Sequence, residues 1–154
     1  MTNREAARML FGVAALLESE GANVYRLRAY RRAARSLLAL PAEASVYLNT
    51  ARELQLPWLG QRLRRKLGEL VSEGRMQFYD DLIEALPPVK RQLLAIPGVG
   101  PITARRLEDE LHLESAEAVV EAAAAGRLRL IRSIGKVKER QLGQAASIML
   151  RTAA

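Results

Sequence analysis

Gly60, Gly100 and Gly135 occupy the same place in three segments that align without gaps. The first reads Leu56-Pro57-Trp58-Leu59-Gly60-Gln61-Arg62-Leu63-Arg64-Arg65-Lys66-Leu67. The second reads Ile96-Pro97-Gly98-Val99-Gly100-Pro101-Ile102-Thr103-Ala104-Arg105-Arg106-Leu107. The third reads Ile131-Arg132-Ser133-Ile134-Gly135-Lys136-Val137-Lys138-Glu139-Arg140-Gln141-Leu142. Each has an apolar residue four before the shared glycine, another just before it and a leucine seven after it. The apolar residues anchor two helices, and the glycine marks a sharp turn between them. Glycine admits φ > 0 and lets a ligand come close to the backbone. The helix that follows begins with amides that have no internal partner. Those donors, with the positive end of the helix dipole, suit a phosphate. Main-chain contacts of this kind recognise a sugar-phosphate backbone and carry no base sequence. Arg62, Arg105, Lys136 and Lys138 lie in the first helical turns, where they would add to the contact. The competing explanation is that glycine serves the turn geometry alone.

Net charge supports the phosphate reading. The chain has 154 residues and a formal charge of +7, with a sequence pI near 10.4, which points to a polyanionic partner. The surplus is striped. Arg26, Arg28, Arg31, Arg32 and Arg35 have no acid among them, and Arg28, Arg32 and Arg35 share one helical face. A second basic block spans residues 60–75 and a third spans 127–140. Residues 101–125 are acidic, with Arg105 and Arg106 set against Glu108, Asp109, Glu110, Glu114, Glu117 and Glu121.

Composition removes several other chemistries. There is no cysteine, so no disulfide framework, thiolate metal site or cysteine nucleophile. His112 is the single histidine, which leaves no multi-histidine zinc site. It closes a helix beside leucines and reads as a cap. Glu117 and Glu121 have no evident partner as an acid–base pair. A length of 154 residues fits one domain or two small ones. Met9 to Leu17 is apolar, but Glu18 and Glu20 follow it without a small-residue cleavage pattern. The run is too short to span a bilayer. The expectation is a cytoplasmic, nucleoid-associated protein with no membrane partner.

The elements that would position the glycines are helices. Ala6, Met9, Leu10, Val13, Leu16 and Leu17 fall on one helical face behind a Thr2–Glu5 capping box. Val24, Leu27, Ala34, Leu37 and Leu38 form a second stripe, which Pro41 ends. Further helices are expected over about 43–52, from Gly60 to Val71, Phe78 to Leu86, Val89 to Ala95, Pro101 to Leu111, Ser115 to Ala125 and Lys136 to Met149. No alternating strand appears. Pro87-Pro88 is the best boundary, dividing the chain into 1–86 and 87–154. The expected architecture is all-α, two packed helical subdomains with three hairpin repeats.

Ile96-Pro97-Gly98-Val99-Gly100-Pro101, with Ala104 and Leu107, closely resembles the helix-hairpin-helix family of nonspecific DNA-binding motifs. The other copies depart from it, with Trp58 or Ser133 in place of the first glycine. The resemblance implies DNA contacts at Gly98, Val99, Gly100, Ile102, Thr103, Arg105 and Arg106. It implies further ones at Ser133, Gly135, Lys136, Lys138, Gly60, Arg62 and Arg64, with Arg28, Arg32 and Arg35 beside them. In this family a hairpin can hold Na+ or K+ through main-chain carbonyls, here Leu94, Ile96 and Val99. No cofactor is required.

The order of parts is similar to the N-terminal region of bacterial family X DNA polymerases. Arg28-Ala29-Tyr30-Arg31-Arg32-Ala33-Ala34 carries that likeness, as do Gly74-Arg75 and the helix after them. No polymerase palm is expected, because it needs three aspartates around two metal ions. Asp80 and Asp81 are adjacent on a helix, and Asp109 is isolated. A second activity of that region is 5′-deoxyribose phosphate lyase chemistry, in which a lysine forms a Schiff base with an abasic sugar. The alignment puts that lysine at Lys66, with Tyr30 in support. Only four of the 24 Lys and Arg residues are lysines, and arginine offers no neutral amine in its place. Arg62, Arg64 and Arg65 would favour the neutral amine by like-charge repulsion. Arg65 stands where the family has an acid.

These readings give a DNA-binding accessory factor of repair or recombination, acting at gaps, ends or structured sites and working with repair proteins. The alternatives are an abasic-site lyase using Lys66, and a protein-interaction scaffold that has lost DNA binding.

Overall fold

The computed structural model describes all residues from Met1 to Ala154. It is helical throughout, with no strand beyond one isolated bridge between Leu48 and Leu54. The chain divides into two compact units, Met1–Ala85 and Leu86–Ala154.

In the first unit, α1 (Asn3–Ser19) and α2 (Val24–Ala39) pack along one another. The Thr2 hydroxyl accepts from Glu5 N while the Glu5 carboxylate accepts from Thr2 N, closing the capping box. Asn3 latches the start of α1 to the loop after α2. Its Nδ2 donates to the Ala42 carbonyl at 2.8 Å, and its Oδ1 accepts from Ala44 N at 2.7 Å. Ala6, Leu10, Val13 and Leu17 are buried from α1, and Leu27, Tyr30, Ala33, Ala34 and Leu37 from α2. Val24 and Leu38 are exposed, against expectation. Tyr30 and Ala33 take their share of the α2 stripe, which is rotated from the one read off the sequence. The unit continues through α3 (Gln61–Glu73) and α4 (Gln77–Glu84), with Gly74 ending α3 at φ 72°.

The helix expected over about 43–52 is only a 3-10 turn, Ala44–Tyr47. Asn49 explains the difference. Its side chain accepts from Glu53 N at 2.8 Å, and its carbonyl accepts from Arg52 N at 3.0 Å. Such local bonds compete with the helical ladder. Arg52 turns the chain in the left-handed region at φ 59°. The Arg52 carbonyl then lies against α3: a Cβ on Gly68 would sit 1.9 Å from it.

In the second unit, α5 (Pro88–Ala95) leads into α6 (Pro101–Leu111), and α7 (Ala116–Ala124) leads through a 3-10 turn (Leu128–Leu130) into α8 (Lys136–Ala153). Leu93, Ile96, Val99, Leu107, Val119, Leu128, Ile131, Ile134 and Leu142 belong to one buried cluster. The apolar anchors of the second and third repeats therefore share a core. Ser115 caps α7 by accepting from Ala118 N at 3.1 Å, and His112 closes α6 in the left-handed region at φ 54°. A Cβ on Gly143 of α8 would meet the Ala123 Cβ of α7 at 2.7 Å, so that helix crossing depends on the missing side chain.

Candidate nucleic-acid interface

The three repeats form three turns closed by the same hydrogen bond. Leu59 N donates to the Leu56 carbonyl at 3.1 Å, Val99 N to Ile96 at 3.0 Å and Ile134 N to Ile131 at 2.9 Å. The third turn residue differs. Gly98 lies at φ 90°, which behind Pro97 is the type II arrangement. Trp58 and Ser133 have no positive φ, which takes their turns out of that class. The losses of the first glycine in these two repeats are thus accompanied by a different turn. Gly98 also faces Leu142, whose Cδ2 would lie 3.3 Å from an added Cβ.

The shared glycines behave otherwise than the sequence suggested. Gly60, Gly100 and Gly135 are N-cap residues with extended backbones, at φ −70°, −95° and −93°. Any residue adopts that conformation. A Cβ built on any of the three meets nothing within 4 Å. The fold itself therefore asks for no glycine at these places. What the missing side chain leaves is open approach to the helix start.

Those helix starts are also uncapped. The helices α3, α6 and α8 have no side-chain bond at their N-termini, whereas α1, α2 and α7 are capped by Thr2, Asn23 and Ser115. The Gly60, Gly100 and Gly135 carbonyls accept from Arg64, Ala104 and Glu139 N, closing each first turn. The amides of residues 61–63 and 136–138, and in α6 those of Ile102 and Thr103 because Pro101 has no N–H, have no intrahelical acceptor. Gly98 is exposed, Gly100 partly so and Val99 buried.

The basic side chains divide into free and engaged ones. Arg28, Arg32 and Arg35 are exposed along α2, and Arg62, Lys136 and Ile102 are exposed at the helix starts, with Thr103 and Lys138 half-buried. Arg64 turns back, its Nε donating to the Leu59 carbonyl at 3.0 Å. Arg65 pairs with Glu53 at 3.2 Å, and Arg105 lies 3.6 Å from Asp109. Arg106 Nη1 donates to the Ser133 hydroxyl at 3.0 Å, so these two expected contacts are joined to each other. Of the Leu94, Ile96 and Val99 carbonyls expected to hold a cation, that of Ile96 already accepts from Val99 N.

Lys66 and Tyr30 come together in the first unit. Lys66 Nζ donates to the Tyr30 hydroxyl at 3.2 Å and stands 3.6 Å from the centre of the Phe78 ring. The Tyr30 and Phe78 rings stack with centroids 5.9 Å apart, and the Arg26 guanidinium lies 5.1 Å from the Phe78 centroid. No carboxylate pairs with the amine. Burial first, then Arg26 and Arg62, hold the Lys66 amine below the ordinary lysine range. Of the three arginines expected to act on it only Arg62 does so, because Arg64 and Arg65 are turned to other partners. Burial pushes the Tyr30 hydroxyl up to about 12, partly offset by Arg26. Sequence reasoning missed Phe78 and Arg26 here. Arg26 stands four residues before Tyr30 on one helix, a spacing that brings side chains together. Phe78 carried no comparable signal.

Uncapped glycine-led helix starts thus recur in three hairpins on a basic chain. Residues 1–76 match the helix-hairpin-helix domain family. Over 145 residues, 94% of this chain, the sequence is 26% identical to the DNA polymerase/3'-5' exonuclease PolX of Bacillus subtilis (strain 168). The chain covers 25% of that relative. It carries a PolX-like helix-hairpin-helix region and spans about a quarter of that relative's length. No helix is long and apolar enough to cross a membrane.

Proposed function

We propose that the chain binds DNA through its sugar-phosphate backbone, without base-sequence preference, as an accessory factor of repair or recombination at gaps, ends or structured sites. The observation that carries this reading is the set of three N-cap glycines that the fold does not need, each opening an uncapped helix. Backbone amides there meet phosphate oxygens, and Arg62, Lys136, Lys138 and the Arg28–Arg32–Arg35 face add screened attraction. Neutral carbonyl oxygens at Leu94, Ile96 and Val99 suit Na+ or K+, which would offset phosphate charge at the second hairpin. The test is fluorescence anisotropy with gapped, nicked and continuous duplexes over a salt series. Affinity falls steeply with salt and ranks the structures, and base sequence has little effect. A flat salt response overturns the reading and favours the interaction scaffold.

A second reading is favoured by the Lys66 geometry: a 5′-deoxyribose phosphate lyase. The partly desolvated amine, which has no carboxylate partner, attacks the C1′ aldehyde of the opened abasic sugar, and water leaves as the Schiff base forms. Loss of a C2′ proton then breaks the C3′–O bond and releases the downstream 5′-phosphate strand. Tyr30 orients the amine by accepting its hydrogen bond. Borohydride trapping on an incised abasic duplex decides the matter. The wild type gives a covalent adduct that Lys66→Ala abolishes. Absence of a wild-type adduct ends this reading and leaves the binding reading intact.

A further inference from the structure

We propose that Trp58 stacks on an unpaired or terminal base of the DNA strand whose phosphate lies at the start of α3, which makes the first hairpin a reader of strand ends. This rests on the DNA-binding reading and adds a specificity that the main-chain contacts lack.

The argument begins with what the turn requires. The Leu56–Leu59 turn closes through its own backbone bond, and the equivalent third position holds glycine in one sister turn and serine in the other. A large aromatic is not needed for geometry. Nor does Trp58 serve the core. Its neighbours Leu56 and Leu59 and the repeat leucine Leu67 are buried, whereas Trp58 is 38% exposed. No ring pair, cation–π contact or hydrogen bond occupies the indole, though the unit makes such contacts around Phe78. Pro57 at the preceding turn position and the Arg64 bond to the Leu59 carbonyl hold the turn, so the ring is presented from a fixed backbone.

The surroundings name the ligand. Two residues on is Gly60, open and uncapped, and two beyond that is exposed Arg62. A π-face beside phosphate donors matches a nucleotide, with the base on the ring and the phosphate on the amides. Within continuous duplex the bases are already stacked on one another. Only a base at a gap, flap or frayed end is free to take the indole. Every base has a π-face, so the preference is for structure and not for sequence.

Trp58 is the single tryptophan, so its fluorescence reports on this contact alone. The full chain is titrated with gapped and 5′-overhang duplexes and with a continuous duplex, while anisotropy of labelled DNA measures binding independently. The gapped and overhang DNAs quench Trp58 emission at saturation, and continuous duplex does not. Trp58→Ala, checked for retained helicity, loses about tenfold in affinity for gapped DNA, the worth of one base–aromatic stack, and keeps its affinity for continuous duplex. Trp58→Phe retains most of the preference. Binding without quenching, or an unchanged preference in Trp58→Ala, overturns the stacking proposal and leaves the DNA-binding reading standing. No anisotropy change with any DNA overturns both.

Discussion

Arg106 and Ser133 are bonded to each other, Nη1 to Oγ at 3.0 Å, and this ties α6 to the turn of the third hairpin. Ser133 occupies the position that Gly98 holds in the second hairpin. Gly98 in turn faces Leu142 of α8. Each hairpin of this unit thus presents its third turn residue to the helix of the other.

That bond sorts the cations by their use. Arg106→Ala leaves the slope of log affinity against log salt unchanged, because the guanidinium is engaged within the chain. Lys136→Ala reduces the slope by about one, the expected effect of one lost phosphate contact. Anisotropy titrations from low to moderate salt measure both.

Gly98→Ala and Gly100→Ala, though only two positions apart in the motif, have opposite consequences. Gly98 is at φ 90°, and a Cβ added there would lie 3.3 Å from Leu142 Cδ2, so alanine there costs roughly 1–2 kcal/mol of stability from the left-handed backbone alone. Gly100 is extended with open space beyond it, so alanine changes stability by only a few tenths of a kcal/mol, roughly the difference between two N-cap residues. Gly100→Ala nevertheless weakens DNA binding, because the new methyl stands where the phosphate approaches. Urea midpoints and anisotropy on the same samples separate the two effects.

Gly68→Ala and Gly143→Ala report on packing. The first drives a methyl into the Arg52 carbonyl, 1.9 Å away, and the second into the Ala123 methyl at 2.7 Å. Overpacking of this kind costs about 1–3 kcal/mol. Gly68→Ala is the worse, because its obstacle is backbone. Thermal melts rank them, and Gly60→Ala serves as a control that leaves the melt nearly unchanged.

The first unit carries two titrations of opposite sign. Lys66 is lowered when folded, so below its unfolded value the unfolded chain binds more protons and stability rises with pH. Tyr30 is raised from 10.0 to about 12, so between those values the folded chain holds the extra proton and stability falls as pH rises. Urea midpoints across alkaline pH follow this rise and fall. Tyr30→Phe removes the fall, and Lys66→Met removes the rise.

Glu139 gives the acid limb. Its carboxylate accepts from Arg129 N at 3.0 Å and from the Arg129 guanidinium at 2.6 Å and 3.0 Å. Those bonds hold its carboxyl below the usual range. Their stabilisation is present above the unfolded glutamate value and is lost as pH falls through the folded one. Glu139→Gln lowers the melting temperature at neutral pH and flattens the acid dependence of the second unit.

Much of this was legible in the sequence because it is local. Helical periodicity, the Thr2–Glu5 box, the Ser115 cap and the three glycine-led turns depend on residues within a few positions of one another, and each appears in the fold. The stretch after Pro41 was misread as helix because Asn49 bonds to the nearby backbone, which apolar spacing does not register. The role of the repeat glycine was also misplaced: the left-handed turn belongs to Gly98, and Gly60, Gly100 and Gly135 are extended.

The sequence by itself determined the helices, the hairpin repeats and the basic stripes, since chain-neighbour sterics and hydrogen bonds set them. Tertiary structure alone decided which cations stay free. It sent Arg65 to Glu53 and Arg106 to Ser133, and it put Phe78 and Arg26 beside Lys66. Pairings across a dozen or more residues depend on how helices cross, and crossings follow from close contacts such as Gly143 of α8 on Ala123 of α7, which no spacing along the chain encodes.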